Sequence, residues 1–288
     1  MPVLRMTFVQ RLCLAAASSV AALGLLEPAA AQAPARDQSN SVRIYYGDSN
    51  NPVHLAILDR LKKRRVLEDL QEFLSPLQMP AELTIRMENC SGLVNAWYAT
   101  NTITYCYDLI EYMRKSAPAT TTAEGLTPED AVVGAFIDIM LHELSHAVFD
   151  LLKIPVFGRE EDAADALAAF VLLQLGKDVA RRTITGTAHF WSALAASRTF
   201  DKSEFATGHG VPDQRFYNVL CIAYGADRDL FGDFVRKGLL PRQRAPSCET
   251  EYQQIRYAYQ QLIAPHVDVE LQRQVQARQW LKPDDGKQ

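Results

Sequence analysis

The segment Met140-Leu-His-Glu-Leu-Ser-His-Ala-Val-Phe-Asp150 contains His142-Glu143-x-x-His146. On an α-helix, residues four apart lie one turn above each other on one face. Two imidazoles at that spacing can grip one metal ion, and Glu143 beside them is placed to act as a base on water. Zinc suits such a set, because it accepts nitrogen and carboxylate oxygen and leaves a position for water. Average residue frequencies make the pattern a chance event about once in a hundred chains of this length.

The flanks predict the helix that the motif requires. Thr127 is a good N-cap, Pro128 fits the first helical position, and Glu129 and Asp130 complement the helix dipole. Apolar residues recur at helical spacing from Val133 through Phe136, Ile137, Met140, Leu141, Leu144 and Val148 to Leu151. Pro155 and Gly158 end the element. Next comes Arg159-Glu-Glu-Asp-Ala-Ala-Asp165, which leads into an Ala/Leu-rich helix. Glu161 and Asp165 are four apart and share a face. A catalytic zinc takes three protein ligands, so Glu161 is the candidate third ligand, with Glu160 as the alternative. Acids at 160–162 also suit any helix start. Asp165 lies well inside an apolar helix, where it would accept the free N–H of a ligand histidine and fix its tautomer.

The chain has 288 residues, 48% of them hydrophobic, and a formal net charge of −4. That length allows one sizeable core or two packed lobes. The mild charge gives no argument for nucleic acid or an anionic membrane as a partner. Arg5 and Arg11, the apolar run Leu12 to Leu26, and Ala29-Ala-Ala31 read as an export signal cleaved after Ala31. Cleavage removes two arginines and one glutamate and takes the charge from −4 to −5. No other stretch reads as a membrane span. The expected location is periplasmic or secreted. Cys90, Cys106, Cys221 and Cys248 remain, an even number that implies two disulfides in an exported chain. Three pairings are possible, and proximity in sequence favours Cys90–Cys106 and Cys221–Cys248.

The predicted order begins with a polar, disordered segment over 32–40. A strand follows at Val42–Tyr46, then a helix, continuous or broken, opened by Asn51-Pro52 and running to Leu74, with Lys62 to Arg65 balanced by Glu68, Asp69 and Glu72. Strands follow within Ala81–Cys90, Leu93–Tyr98 and Thr102–Cys106, then a helix over Tyr107–Lys115. Beyond Gly176 the chain is mostly helical, with Gly225 as a helix cap. His54 and His189 read as structural. The fold class is α+β: a small mixed sheet with the motif helix over 41–152, and a helical lobe over 153–283, in one domain. An oxyanion needs a facing donor. His209, Arg215 and Tyr217 are the candidates, and no spacing rule selects among them. Asp138, one turn before His142, either orients that histidine or makes a helix salt bridge.

These residues resemble the gluzincin clan of zinc peptidases through His142-Glu143-x-x-His146 and Glu161-x-x-x-Asp165. More narrowly, they resemble a family of exported bacterial metallopeptidase-like proteins of unknown function. The shared wording is Asn95 to Tyr98, Cys106-Tyr107, His142 to Ala147, Pro155 to Asp165, Gln214 to Cys221, and Tyr224-Gly225. Ser145 departs from the glycine usual at that position. The resemblance implies a zincin-like fold, one zinc per chain and a peptide or protein substrate. In peptidases of the thermolysin type an Asn-Ala-aromatic edge strand pairs with the substrate backbone, which would give Asn95 and Ala96 that role. Two other readings use the same residues: an exported zinc-binding protein without turnover, and an amidase acting on peptidoglycan stem peptides.

Overall fold

A computed structural model describes residues 42–199, 201–278 and 280–281. The expected signal segment, the polar 32–40 stretch and the end of the expected domain at 283 lie outside these residues. The sheet comes first. β1 (Val42–Tyr46), β2 (Leu83–Glu88), β3 (Ala96–Ala99) and β4 (Thr102–Cys106) lie in the order β1-β2-β4-β3. β1 and β4 run parallel to β2, while β3 pairs antiparallel with β4 and forms an edge. Leu83, Ile85, Met87, Ile103 and Tyr105 are fully buried, as alternation in β2 requires. Between β1 and β2 lie α1 (Pro52–Lys63) and α2 (Val66–Phe73), separated where Arg65 turns left-handed at φ 53°.

α3 (Tyr107–Ser116) leads to α4 (Pro128–Leu151), which carries the His-Glu-x-x-His motif. Thr127 caps α4 by accepting the Asp130 N–H at 3.0 Å. This helix is apolar nearly all round because it is packed on several sides: β3 and β4 lie against it, and so do α5 (Glu160–Leu172) and α6 (Lys177–Ala196). By length and composition α4 would pass for a membrane span, contrary to the sequence reading, yet 78% of its most apolar window is buried inside the protein. The apolarity answers to the core, not to lipid.

α4 and α6 cross at glycines. A Cβ on Gly186 would collide with the Asp130 carbonyl, and one on Gly134 with the Thr183 carbonyl. Thr187 Oγ1 donates to the Gly134 carbonyl at 3.0 Å in the same crossing.

After a 3₁₀ turn (Lys202–Ala206) come α7 (Pro212–Ala226), the short α8 (Arg228–Phe231) and α9 (Asp233–Arg236), α10 (Ala245–Leu262) and α11 (Val269–Gln276). Gly225 is not the expected cap. It lies inside α7, where a Cβ would strike the backbone of Cys248 on α10. The Cys221–Cys248 disulfide joins the same two helices, and Cys90–Cys106 ties the end of β2 to the end of β4. The basic run over 62–65 also differs from expectation. Arg64, with Arg60, reaches Glu129 at the start of α4, some 65 residues away, rather than the acids of α2 alone.

Candidate metal centre

α4 presents His142 and His146 on one face, and the first turn of α5 presents Glu161 opposite them. His142 Nε2 lies 3.0 Å from Glu161 Oε2, His146 Nε2 lies 3.3 Å from the same oxygen, and the two Nε2 atoms are 3.2 Å apart. Zinc bonds of 2.0–2.1 Å in a tetrahedron would set ligand atoms about 3.3 Å from one another. The three atoms therefore already stand at the spacing of a metal's coordination sphere, and the group can hold a metal ion.

The orientation of the rings supports this. His142 Nδ1 bonds Asp165 Oδ1 at 2.7 Å, and His146 Nδ1 bonds Glu160 Oε1 at 2.7 Å. A carboxylate on each Nδ1 holds the proton there, which leaves both Nε2 lone pairs facing the shared Glu161 oxygen. Three electron-rich atoms converge, so the set calls for a cation.

Burial opposes charge on His142, but hydrogen bonds to Asp165 and Glu161 outweigh it and raise its pKa to about 9. His146 behaves alike: burial pushes it down, and bonds to Glu161 and Glu160 carry it up overall. For Glu161, burial is overcome by hydrogen bonds from His142, His146 and His209, so it stays ionised far below the usual carboxylate range. A metal ion would have to displace the proton from His142.

Glu143 is buried on the next face of α4. Burial raises its pKa, with the neighbouring His142 and His146 pulling the other way. The Tyr98 backbone N–H on β3 also favours its ionised form. The Cys106 N–H bonds the Asn95 carbonyl at 3.2 Å, so Asn95 faces β4. In an antiparallel pair the backbone groups alternate. Ala96 and Tyr98 thus turn theirs to the open edge, beside Glu143. Tyr98 also fastens β3 to the end of α4, its hydroxyl donating to Asp150 Oδ2 at 2.7 Å.

The three donor candidates part company. His209, on the turn before α7, comes to the ligand cluster: its Nε2 lies 2.9 Å from Glu161 Oε2 and its ring stacks on His142 at 5.9 Å. Arg215 on α7 points behind the cluster, where it ion-pairs with Asp165 and its guanidinium lies 3.7 Å from the Trp191 ring centre. Tyr217, two residues on and so turned away from Arg215, lines a separate surface cleft of about 820 Å³ with Arg159, Phe205 and Gln214.

Asp138 neither touches His142 nor forms a helix ion pair. It accepts from Trp191 Nε1 at 3.2 Å, and burial raises its pKa to about 7. Two roles escaped the sequence reading: Glu160 as the partner of His146, and Trp191 as the plate between Arg215 and Asp138. The adjacent acids at 160 and 161 carried a signal for the first. Nothing in the spacing signalled the second. His54 is buried near Ser49 and Glu111, and His189 bonds the Ser116 carbonyl.

No curated protein and no solved structure matches the chain. A family profile does match, over residues 46–263, which includes every residue of the cluster. The helices that carry His142, His146 and Glu161 lie within this match, and the chain belongs to the family described as "Putative metallopeptidase".

Proposed function

We propose that the chain is a zinc-dependent hydrolase of peptide bonds, working in the periplasm or outside the cell. The observation that carries the reading is the convergence of His142 Nε2, His146 Nε2 and Glu161 Oε2 beside a buried Glu143 that takes no part in holding the metal. A purely structural metal site needs no such carboxylate, which weighs against the zinc-binding protein without turnover. Zinc held by these three residues would supply Lewis acidity toward a carbonyl and toward water.

The chain's own groups then divide the work. Glu143, its pKa raised by burial, is placed to take a proton from water and return it to the leaving amine. His209, whose Nε2 lies 2.9 Å from Glu161, is the candidate that reaches the cluster and would serve as donor to the oxyanion. Asp165 and Glu160 hold the ligand imidazoles in their tautomers. A substrate backbone would add to the open edge of β3 through Ala96, beginning next to Asn95, and would tolerate many sequences. The two disulfides are in keeping with an oxidising compartment.

The test is a mass-spectrometric digest of a mixed peptide library by the zinc-loaded protein beside Glu143→Gln. Cleavage by the wild type that a chelator and the Gln variant both abolish is the expected result. Zinc retained without cleavage of any library peptide would contradict the peptidase reading. Release of fragments from peptidoglycan stem peptides alone would redirect it to the amidase.

A further inference from the structure

On the side of α4 away from the metal ligands, a cleft of about 1200 Å³ opens between α1, α2, α3 and α4. Its walls are apolar: Leu70 and Phe73 from α2, Phe136, Ile137 and Leu141 from α4, and Trp280 near the end of the described chain. Pockets for small ligands run from about 300 to 1,000 Å³. This cleft is at or beyond the top of that range, which suits a long ligand better than a compact one.

Its charge is the second observation. Arg60, Arg64, Arg114, Lys115 and Arg182 line it, against Asp69, Glu129 and Asp130. Five cations and three carboxylates leave an excess of two positive charges, in a chain whose own net charge is −4. Arg60 and Arg64 share Glu129, and Arg182 holds Asp130. Arg114 and Lys115 are exposed side by side at the end of α3, and the partner of Lys115 is Glu111, outside the lining.

We propose that this cleft binds a long-chain fatty acid, its acyl chain along Phe73, Phe136 and Ile137 and its carboxylate at Arg114 and Lys115. The site is independent of the metal centre. α4 separates the two, with Leu141 in the cleft wall and His142 in the metal cluster.

The experiment is a fluorescence titration of the purified full chain with cis-parinaric acid, followed by displacement. Saturable binding is expected. Palmitate should displace the probe at least tenfold better than hexadecanol, which has the same chain and no charge. Affinity should rise about two- to fourfold per methylene from laurate to palmitate, as burial of CH₂ groups requires. Arg114→Glu with Lys115→Glu, a surface change that leaves the core untouched, should weaken palmitate about tenfold. Val133→Trp should obstruct the path of the acyl chain beside Phe136 and Ile137 and weaken binding, with near-ultraviolet circular dichroism checking that the variant is folded. Glu143→Gln should bind like the wild type. Equal displacement by palmitate and hexadecanol would overturn the carboxylate assignment. Absence of saturable binding overturns the whole proposal, whether the chain's own termini close the cleft or it is only a gap in packing.

Discussion

His142 is held from two sides, by Asp165 on Nδ1 and by Glu161 at Nε2, and Asp165 is itself held by Arg215. Removing the charge of Asp165 therefore loosens the ligand without deleting it. Asp165→Asn should weaken zinc binding about 10- to 100-fold, the range for partners that orient metal ligands, as read by competition with a chromophoric chelator. Asp138 supplies a pH dependence of its own. Its folded pKa is about 7, above the ordinary carboxylate value, because it is buried. The folded protein then binds more protons than the unfolded chain between roughly pH 4 and 7. Stability from this group is full below that window and is lost as pH rises through it. In chelated protein, Asp138→Asn should flatten the decline by about 1–3 kcal/mol between pH 5 and 8, an order of magnitude from one to two pKa units, measured by urea unfolding at each pH. At this scale the meeting of His142, His146 and Glu161 was legible, the histidines from their spacing on one helical face and Glu161 from the acid four residues before Asp165, with Glu160 left as the alternative. The donors were not. His209, Arg215 and Tyr217 lie within nine residues of one another, yet a turn followed by a helix sends them to the ligand cluster, behind it, and away from it.

The elements owe their placement to α4. Its capped start and its apolar periodicity were legible because cap chemistry and burial are local. The crossing of α4 and α6 was not, since it depends on Gly134 meeting Gly186 across 52 positions. In a free helix Gly→Ala gains up to about 1 kcal/mol. Here the added methyl meets the α4 backbone at Asp130 and Gly134, so Gly186→Ala should instead cost about 1–3 kcal/mol, the usual penalty for overpacking, in chemical denaturation. α11 left no hydrophobic stripe to read, because Val275 is the single buried residue in its Val-Glu-Leu-Gln-Arg-Gln-Val-Gln sequence. Gly225 looked like a helix stop because close helix packing and helix termination call for the same residue.

At the scale of the whole molecule, the two disulfides close loops of 16 and 27 residues in sequence separation. Each should contribute about 3 kcal/mol by restricting the unfolded chain. Cys221→Ala with Cys248→Ala should lower the urea midpoint accordingly while leaving the metal ligands in place. Proximity in sequence was enough to pair these cysteines, since both bridges join neighbouring elements. The α+β architecture also followed from the order of alternating and helical stretches. The site is assembled at the junction of α4 with α5, where two histidines and one glutamate share a few ångströms. That junction is tested most directly by counting metal. Purified chain, its Glu143→Gln variant and its Glu161→Ala variant are loaded with zinc, dialysed and analysed by native mass spectrometry and zinc titration. The account predicts one zinc per chain, bound with equal affinity by the wild type and Glu143→Gln, and at least tenfold weaker binding by Glu161→Ala. Wild-type protein without zinc, or a Glu161→Ala variant that binds it as tightly as the wild type, would contradict it.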